Sequence, residues 1–198
     1  MKTYSINEIF YSLQGEGYYT GRPAVFIRFA GCNLRCPFCD TDFSKGRAMT
    51  ATEIAKAVRI LHTNPRPFIV LTGGEPTLQV DGELLSALRE LSATIAMETN
   101  GTRPVPDGID FVTCSPKCDF VNDYPVIPRA NEVKVVYDGE HLPDKWIERI
   151  VADYYYLQPC DTGDPEKNRA IQQETVAYCL QHPRWRLSLQ TQKILNVK

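Results

Sequence analysis

A chain of 198 residues, 43% hydrophobic and 23% charged, can bury one sizeable core and is composed like an ordinary globular protein. Its formal net charge of −2 offers no excess of cations for phosphates, which argues against non-specific nucleic-acid binding. No apolar run reaches the length of a membrane span, and the opening MKTYSINEIF lacks a signal peptide's apolar stretch. The expectation is one domain over residues 1–198 in the cytoplasm.

Short β-type runs alternate with helical patterns. Strands are predicted at 24–30, 68–71, 94–98, 111–114, 132–136, 154–158 and 185–189, several almost continuously apolar, as parallel strands covered on both faces are. Thr50 and Glu53 form a capping-box pattern ahead of Ile54, Val58 and Leu61. A second helix carries Leu84, Leu88 and Leu91 at i, i+4 and i+7. A third spans 165–181, with Pro165 in its first turn and Ile171, Thr175, Tyr178 and Cys179 as its pattern. The Pro-rich stretches 102–109 and 118–130 read as loops. Such alternation implies a parallel α/β sheet, open or curved towards a barrel.

The unusual polar clusters begin where these strands end. Cys32 to Cys39 follow the first, Gly73-Gly74-Glu75-Pro76 the second, and Thr99-Asn100-Gly101 the third. Ser115-Pro116-Lys117, Gln158-Pro159-Cys160-Asp161 and Gln190-Thr191-Gln192-Lys193 follow later ones. In parallel α/β folds the carboxyl ends of the strands face one way, and active sites gather there. Six regions of sequence would converge on one mouth.

Seven cysteines make no even disulfide framework. Three of them, Cys32, Cys36 and Cys39, share one short loop as C-x3-C-x2-C. Three thiolates so spaced can hold a 4Fe–4S cluster and leave one iron open for reaction. The alternative is zinc, with Cys114 or Cys118 as fourth ligand. Structural zinc usually uses paired C-x2-C knuckles or histidines, and none of the three histidines lies near this loop. Cys114, Cys118, Cys160 and Cys179 otherwise read as ordinary thiols, two or more of them buried.

Phe38 fills the aromatic slot of C-x3-C-x-aromatic-C, and Gly73-Gly74-Glu75-Pro76 stands one strand later. At these residues the chain resembles the radical S-adenosylmethionine superfamily. The resemblance implies an α/β fold of the partial, trimmed (β/α) TIM-like barrel type. It also implies a 4Fe–4S cluster on Cys32, Cys36 and Cys39 whose open iron chelates S-adenosylmethionine. Reduction would then break the S–C5′ bond and release a 5′-deoxyadenosyl radical. The Gly-Gly-Glu backbone and carboxylate would hold the methionyl ammonium, glycine allowing the close approach.

The resemblance narrows to the 7-carboxy-7-deazaguanine synthase family. It is carried by Asn7-Glu8-Ile9-Phe10, Leu13-Gln14-Gly15-Glu16-Gly17, Arg28-Phe29, Cys39-Asp40-Thr41, Ser115-Pro116-Lys117, Leu157-Gln158-Pro159 and Arg186-Leu187-Ser188-Leu189-Gln190-Thr191. It implies a lyase of queuosine and deazapurine biosynthesis. Such an enzyme converts 6-carboxy-5,6,7,8-tetrahydropterin into 7-carboxy-7-deazaguanine and ammonia, with S-adenosylmethionine regenerated. Mg²⁺, a flavodoxin or ferredoxin electron donor and a homodimer are implied with it. For S-adenosylmethionine the resemblance assigns Phe38, Cys39, Asp40, Gly73, Gly74, Glu75, Ser115, Pro116, Lys117, Gln158, Pro159, Cys160 and Asp161. It gives magnesium to Thr41, and substrate to Leu13, Gln14, Gly15, Glu16, Arg28, Thr72, Gln192 and the carboxylate of Lys198.

Side-chain chemistry suits these roles. Gln14 and Glu16 can meet the guanine-like edge of a pterin. Arg28 can grip a carboxylate bidentately, and its neighbours Phe26, Ile27 and Phe29 imply a burial that demands a partner. Family members usually read Gln-Thr-His-Lys where this chain has Gln190-Thr191-Gln192-Lys193. An amide can hydrogen-bond there but cannot titrate near neutral pH. A glycyl-radical activating enzyme is the alternative radical reading, and it would present an open groove to a protein where the first reading expects an enclosed polar pocket.

Overall fold

The computed structural model describes residues 2–117, 119–121 and 124–198. Strands form at Tyr4–Leu13 (β1), Pro23–Phe29 (β2), Arg47–Met49 (β3), Phe68–Gly73 (β4), Thr94–Thr99 (β5), Phe111–Cys114 (β6), Glu132–Tyr137 (β7), Tyr154–Pro159 (β8) and Trp185–Leu187 (β9). Helices form at Ala51–Leu61 (α1), Gly82–Arg89 (α2), Lys145–Arg149 (α3), Pro165–Gln181 (α4) and Thr191–Leu195 (α5). The nine strands make one sheet in the order β3-β1-β2-β4-β5-β6-β7-β8-β9. From β2 through β9 each neighbouring pair is parallel, whereas β1 and β3 run antiparallel at one edge. The sheet is an open, partial barrel of mixed α/β class.

The helices start where the capping chemistry says. The Thr50 side chain accepts from Glu53 N–H, and the Glu53 carboxylate answers to Thr50 N–H, the complete capping box of α1. Ile54 and Val58 are fully buried, while Leu61, at the helix end, stays 36% exposed. Asp164 caps α4, with Pro165 in its first turn; Ile171 and Thr175 are buried, Tyr178 and Cys179 half-buried. The second predicted helix stops at Arg89, and Leu91 packs on the same core from beyond its end. Cys114 and Cys160 are the buried thiols; Cys118 lies outside the described residues.

β1 is the long strand that no clean alternation announces, and a bulge explains why. Tyr4 and Ile6 face the core under α1 and α2. The register then shifts between Ile6 and Glu8, so Ile9 returns to that core while Glu8 and Phe10 turn to the cavity. A one-residue shift exchanges the two faces of a strand.

Period two sorts the parallel strands cleanly. On β2, Val25, Ile27 and Phe29 pack outward under the helices, and Ala24 and Phe26 pack inward. The inner face is apolar at its floor, where Phe10, Ala24, Phe26, Phe68, Val70, Ala96 and Phe111 cluster. Towards the strand ends it becomes polar, with Arg28, Thr72, Glu98, Lys134 and Gln158 lining the cavity. That change of character along one face creates the site.

A loop spans the open side. Residues 14–22 fold inward, held by Gln14 N–H to Arg22 O (2.8 Å) and Gly21 N–H to Gln14 O (2.7 Å). Thr191 donates to Gly15 O through both N–H (3.1 Å) and Oγ1 (2.8 Å). The end of β1 is thereby tied to the segment after β9. Below, Tyr18 stacks on Tyr154 at 4.4 Å and Tyr19 packs on Phe68 at 4.6 Å, closing the floor. A Cβ on Gly15 would stand 2.9 Å from the backbone nitrogen of Gln192, so glycine lets the two chains pass this close. Among the described residues no helix is long and apolar enough to cross a membrane.

Candidate active site

A cavity of about 680 Å³ opens at the carboxyl ends of the parallel strands. One wall is the loop from Gly31 to Gly46, which contains no helix or strand. Cys32 and Cys36 are half-buried and Cys39 exposed, all three as free thiols lining the cavity. Cys39 N–H bonds to Cys36 O at 3.2 Å, curling the loop. Burial pushes the Cys32 and Cys36 thiols up, and nearby Cys39 adds to both. Cys114 is buried and does not line the cavity with the other three thiols; burial pushes its thiol up to about 12.

The Gly-Gly-Glu motif braces this wall. Gly74 N–H bonds to Phe29 O and Glu75 N–H to Gly31 O, both at 2.9 Å. A Cβ on Gly74 would lie 1.8 Å from Gly31 O, so only glycine lets the two backbones pass. Gly73 and Gly74 line the cavity. Glu75 departs from the sequence expectation. It is 0% exposed, and its carboxylate accepts from Thr77 N–H (3.1 Å), Thr77 Oγ1 (2.6 Å), Thr99 Oγ1 (2.7 Å) and Asn100 N–H (2.8 Å). Four donors, three of them on Oε1, hold it inside the wall and away from the cavity lining, where it pins the end of β5 to the turn after β4. Pro116 likewise stands behind the cavity surface, between Ser115 and Lys117, which line it.

Around this wall, Lys117 lies over the Phe38 ring at 5.7 Å and donates to Ser115 Oγ, which in turn donates to Lys134 O at 2.7 Å. Burial, then Lys134, lower the Lys117 ammonium. Gln158, Pro159, Cys160 and Asp161 complete the side over β8. Lys193 joins Asp161 (2.7 Å) to Asp40 (2.9 Å), and the bond from Lys193, with those from Gly163 and Asn168, holds the Asp161 carboxyl at about 2.

The opposite wall is a buried ion network. Glu16 accepts from Lys134 Nζ (2.5 Å), Gln192 Nε2 (2.9 Å) and Gln190 Nε2 (3.1 Å). Lys134, 5% exposed, also stands 3.5 Å from Glu98. Glu98 accepts from Gln14 Nε2 (3.0 Å) and Thr72 Oγ1 (3.2 Å); Leu13 and Gly15 line the cavity beside them. Burial opposes charge on both Glu16 and Lys134, yet their mutual attraction wins, holding the acid well below and the amine well above its usual range. Glu132 sits beneath, accepting from Tyr18 N–H at 2.7 Å, and burial raises its carboxyl to about 7.

Arg28 has the partner its burial demanded, and it is a protein carboxylate. Nε donates to Glu8 Oε1 (3.0 Å) and Nη1 to Thr41 Oγ1 (3.2 Å). The Lys198 ammonium takes the other Glu8 oxygen. Glu8, Glu98 and Lys134 escaped the sequence reading. The signal that singled out Arg28, a charged residue inside an apolar strand, was equally present in Ile95-Ala96-Met97-Glu98 and Val133-Lys134-Val135.

The profile described as the Radical SAM superfamily matches residues 26–120. The 7-carboxy-7-deazaguanine synthase of Bacteroides thetaiotaomicron is 49% identical over 193 residues, covering 98% of this chain and 98% of that protein. The chain belongs to the 7-carboxy-7-deazaguanine synthase family. The member of the same name from Bradyrhizobium diazoefficiens is 40% identical, over 99% of this chain and 100% of that one. Among solved structures, the crystal structure of QueE from Escherichia coli aligns at a TM-score of 0.77 and 28% identity, over 94% of this chain and 93% of that one.

As a radical SAM enzyme, a member of the 7-carboxy-7-deazaguanine synthase family holds a 4Fe–4S cluster and S-adenosylmethionine. The residues present fit both. Among the described residues no three His, Cys, Asp or Glu side chains converge closely enough for one metal ion. The three cysteines share the loop that forms one wall of the cavity and all line it, and from there they would ligate three irons of one cluster. Beside them the cavity offers both charges and fixed amides to a zwitterionic nucleoside.

Proposed function

We propose that residues 1–198 act as one radical SAM domain that converts 6-carboxy-5,6,7,8-tetrahydropterin into 7-carboxy-7-deazaguanine and ammonia. The observation that carries this reading is the polarity of the cavity. Glu16, Glu98 and Gln14 present acceptors at one end, and Arg28 a guanidinium at another. A pterin carboxylate has N–H donors along its pyrimidine edge and an anion on its other ring, the complementary order.

When bound, the reduced cluster and S-adenosylmethionine supply the hydrogen-abstracting chemistry. This chain's own residues do the rest by position. Lys134 keeps Glu16 ionised, so its acceptor character does not vary near neutral pH. Gln192 donates to Glu16 and moves no proton, because an amide does not titrate there. Glu8 holds Arg28 in place until a substrate carboxylate competes for it. Thr41 would hold Mg²⁺, which would supply a positive charge for substrate oxygens. Arg28 Nη1 donates to the Thr41 hydroxyl, so one side chain links Thr41 to the Glu8 carboxylate. A flavodoxin or ferredoxin would supply electrons, and the enzyme would work as a cytoplasmic homodimer.

The deciding experiment is anaerobic. Reconstituted protein is given dithionite, S-adenosylmethionine, Mg²⁺ and the carboxytetrahydropterin, and products are followed by mass spectrometry. 7-Carboxy-7-deazaguanine over many turnovers per S-adenosylmethionine is the expected result. 5′-Deoxyadenosine alone would overturn the substrate.

A further inference from the structure

Two ligands share this cavity, and one hydroxyl touches the machinery of both. Ser188 follows β9 directly and is 3% exposed. Its Oγ accepts from Gly17 N–H at 3.0 Å and lies 3.1 Å from Gln158 Oε1. The backbone N–H can only donate, which leaves the Ser188 hydrogen for Gln158 Oε1. The flipped amide would donate to the same Oγ and leave a buried O–H without an acceptor, a costly arrangement. The carbonyl end of Gln158 is therefore committed, and its NH2 is the end left for the cavity that Gln158 lines.

On the other side, Gly17 ends the segment that carries Gln14 and Glu16. Its φ of +65° and the Glu132 Oε1 2.2 Å from where a Cβ would stand leave room for glycine alone, and the next residue is tied down by Tyr18 N–H to Glu132 at 2.7 Å. Ser188 itself is fixed by its N–H to Leu157 O at 2.8 Å.

We propose that Ser188 is a positioning residue that couples the two halves of the cavity. It turns Gln158 so that an N–H donor meets the acceptor nitrogens of the adenine of S-adenosylmethionine. With the same oxygen it fixes the backbone that presents Glu16 to the substrate. Restraining either neighbour restrains the other, so cofactor and substrate tighten each other's binding. The substrate half of this inference rests on the function proposed above, and the adenine half on the assignment of Gln158 to S-adenosylmethionine that the family resemblance implies.

The test is a double-mutant cycle read by calorimetry. The dissociation constant of S-adenosylmethionine is measured on cluster-loaded protein, with and without the pterin, for Ser188→Ala, Gln158→Ala and the double variant. Ser188→Ala is expected to weaken S-adenosylmethionine by about fivefold to tenfold. The double variant is expected to bind no more weakly than Gln158→Ala alone, since Ser188 acts through that amide. The tightening by pterin disappears in Ser188→Ala and returns in Ser188→Thr, which keeps the hydroxyl. Iron content and melting temperature report folding; should Ser188→Ala not fold, Ser188→Cys takes its place in the cycle. Additive losses, or pterin coupling that survives Ser188→Ala, overturn the proposal. A wild-type enzyme that binds S-adenosylmethionine but leaves the pterin unchanged overturns the substrate reading instead.

Discussion

The cysteine wall and the ion network face each other across one cavity but are held by different forces. The wall is irregular backbone from Gly31 to Gly46, half-buried or exposed at its thiols. It is pinned at a few points, such as Gly31 N–H to Phe43 O (3.0 Å) and Asn33 Nδ2 to Thr102 Oγ1 (2.8 Å). The network is the reverse: Gln14 and Glu16, on the loop after β1, are satisfied by Glu98 and Lys134 on two ordered strands. A site can thus keep its reactive half loosely built and its recognition half preorganised. The rigid half sets where a substrate lies relative to whatever the other half holds.

Breaking the wall should remove chemistry and spare the fold. Cys36→Ala is expected to abolish turnover and the cluster's visible absorbance. Its cluster-free stability should stay within about 0.5 kcal/mol of cluster-free wild type, measured by urea unfolding. A large loss of stability would erase the contrast between the two walls.

Breaking the network should do the opposite. Lys134→Met leaves the partly buried Glu16 and Glu98 without their cation, a change expected to destabilise by about 3 kcal/mol. The same urea midpoints check it, and an unchanged midpoint would show the network to be dispensable.

Glu132 sharpens the comparison through pH. Its folded value of about 7 lies above the ordinary 4.5 because of burial, so the fold favours the protonated acid. Wild-type stability should therefore fall as pH rises from about 4.5 to about 7, by on the order of 3 kcal/mol relative to Glu132→Gln, and then level off. Glu16, depressed chiefly by Lys134 against its burial, acts in the other direction and only as pH falls below its ordinary value. Parallel curves for wild type and Glu132→Gln would show that Glu132 is already charged.

The smallest effect expected lies at the rim. Arg28→Ala should raise the pterin KM roughly tenfold to a hundredfold, as loss of a charge-assisted bond does. S-adenosylmethionine affinity should not change. Loss of both would mark Arg28 as a structural partner of Glu8.

The legible part of this molecule is local. Thr50 with Glu53, Pro165 after Asp164, and the three clustered cysteines each carry their physics within a few residues. Convergence at one mouth also followed from strand direction alone. What escaped depends on distant partners or on broken periods. The bulge between Ile6 and Glu8 hid β1, and α3 and α5, five residues each, are too short to show a period. The family resemblance made Glu75 a ligand, but Thr77, Thr99 and Asn100 donate to its oxygens inside the wall. Lys134 could be weighed only once Glu16, 118 residues earlier, was seen beside it.

The bond between Thr191 and Gly15 joins residues 176 apart. At ordinary translation speeds the second partner is made roughly 9 to 35 s after the first. The three cysteines, all encoded before Asp40, leave the ribosome long before that. A nascent chain can therefore display every ligand for its metal centre while the seat for its substrate does not yet exist. The segment after β9 completes the active site, so a chain stalled before it carries the reactive loop without the chamber that confines it.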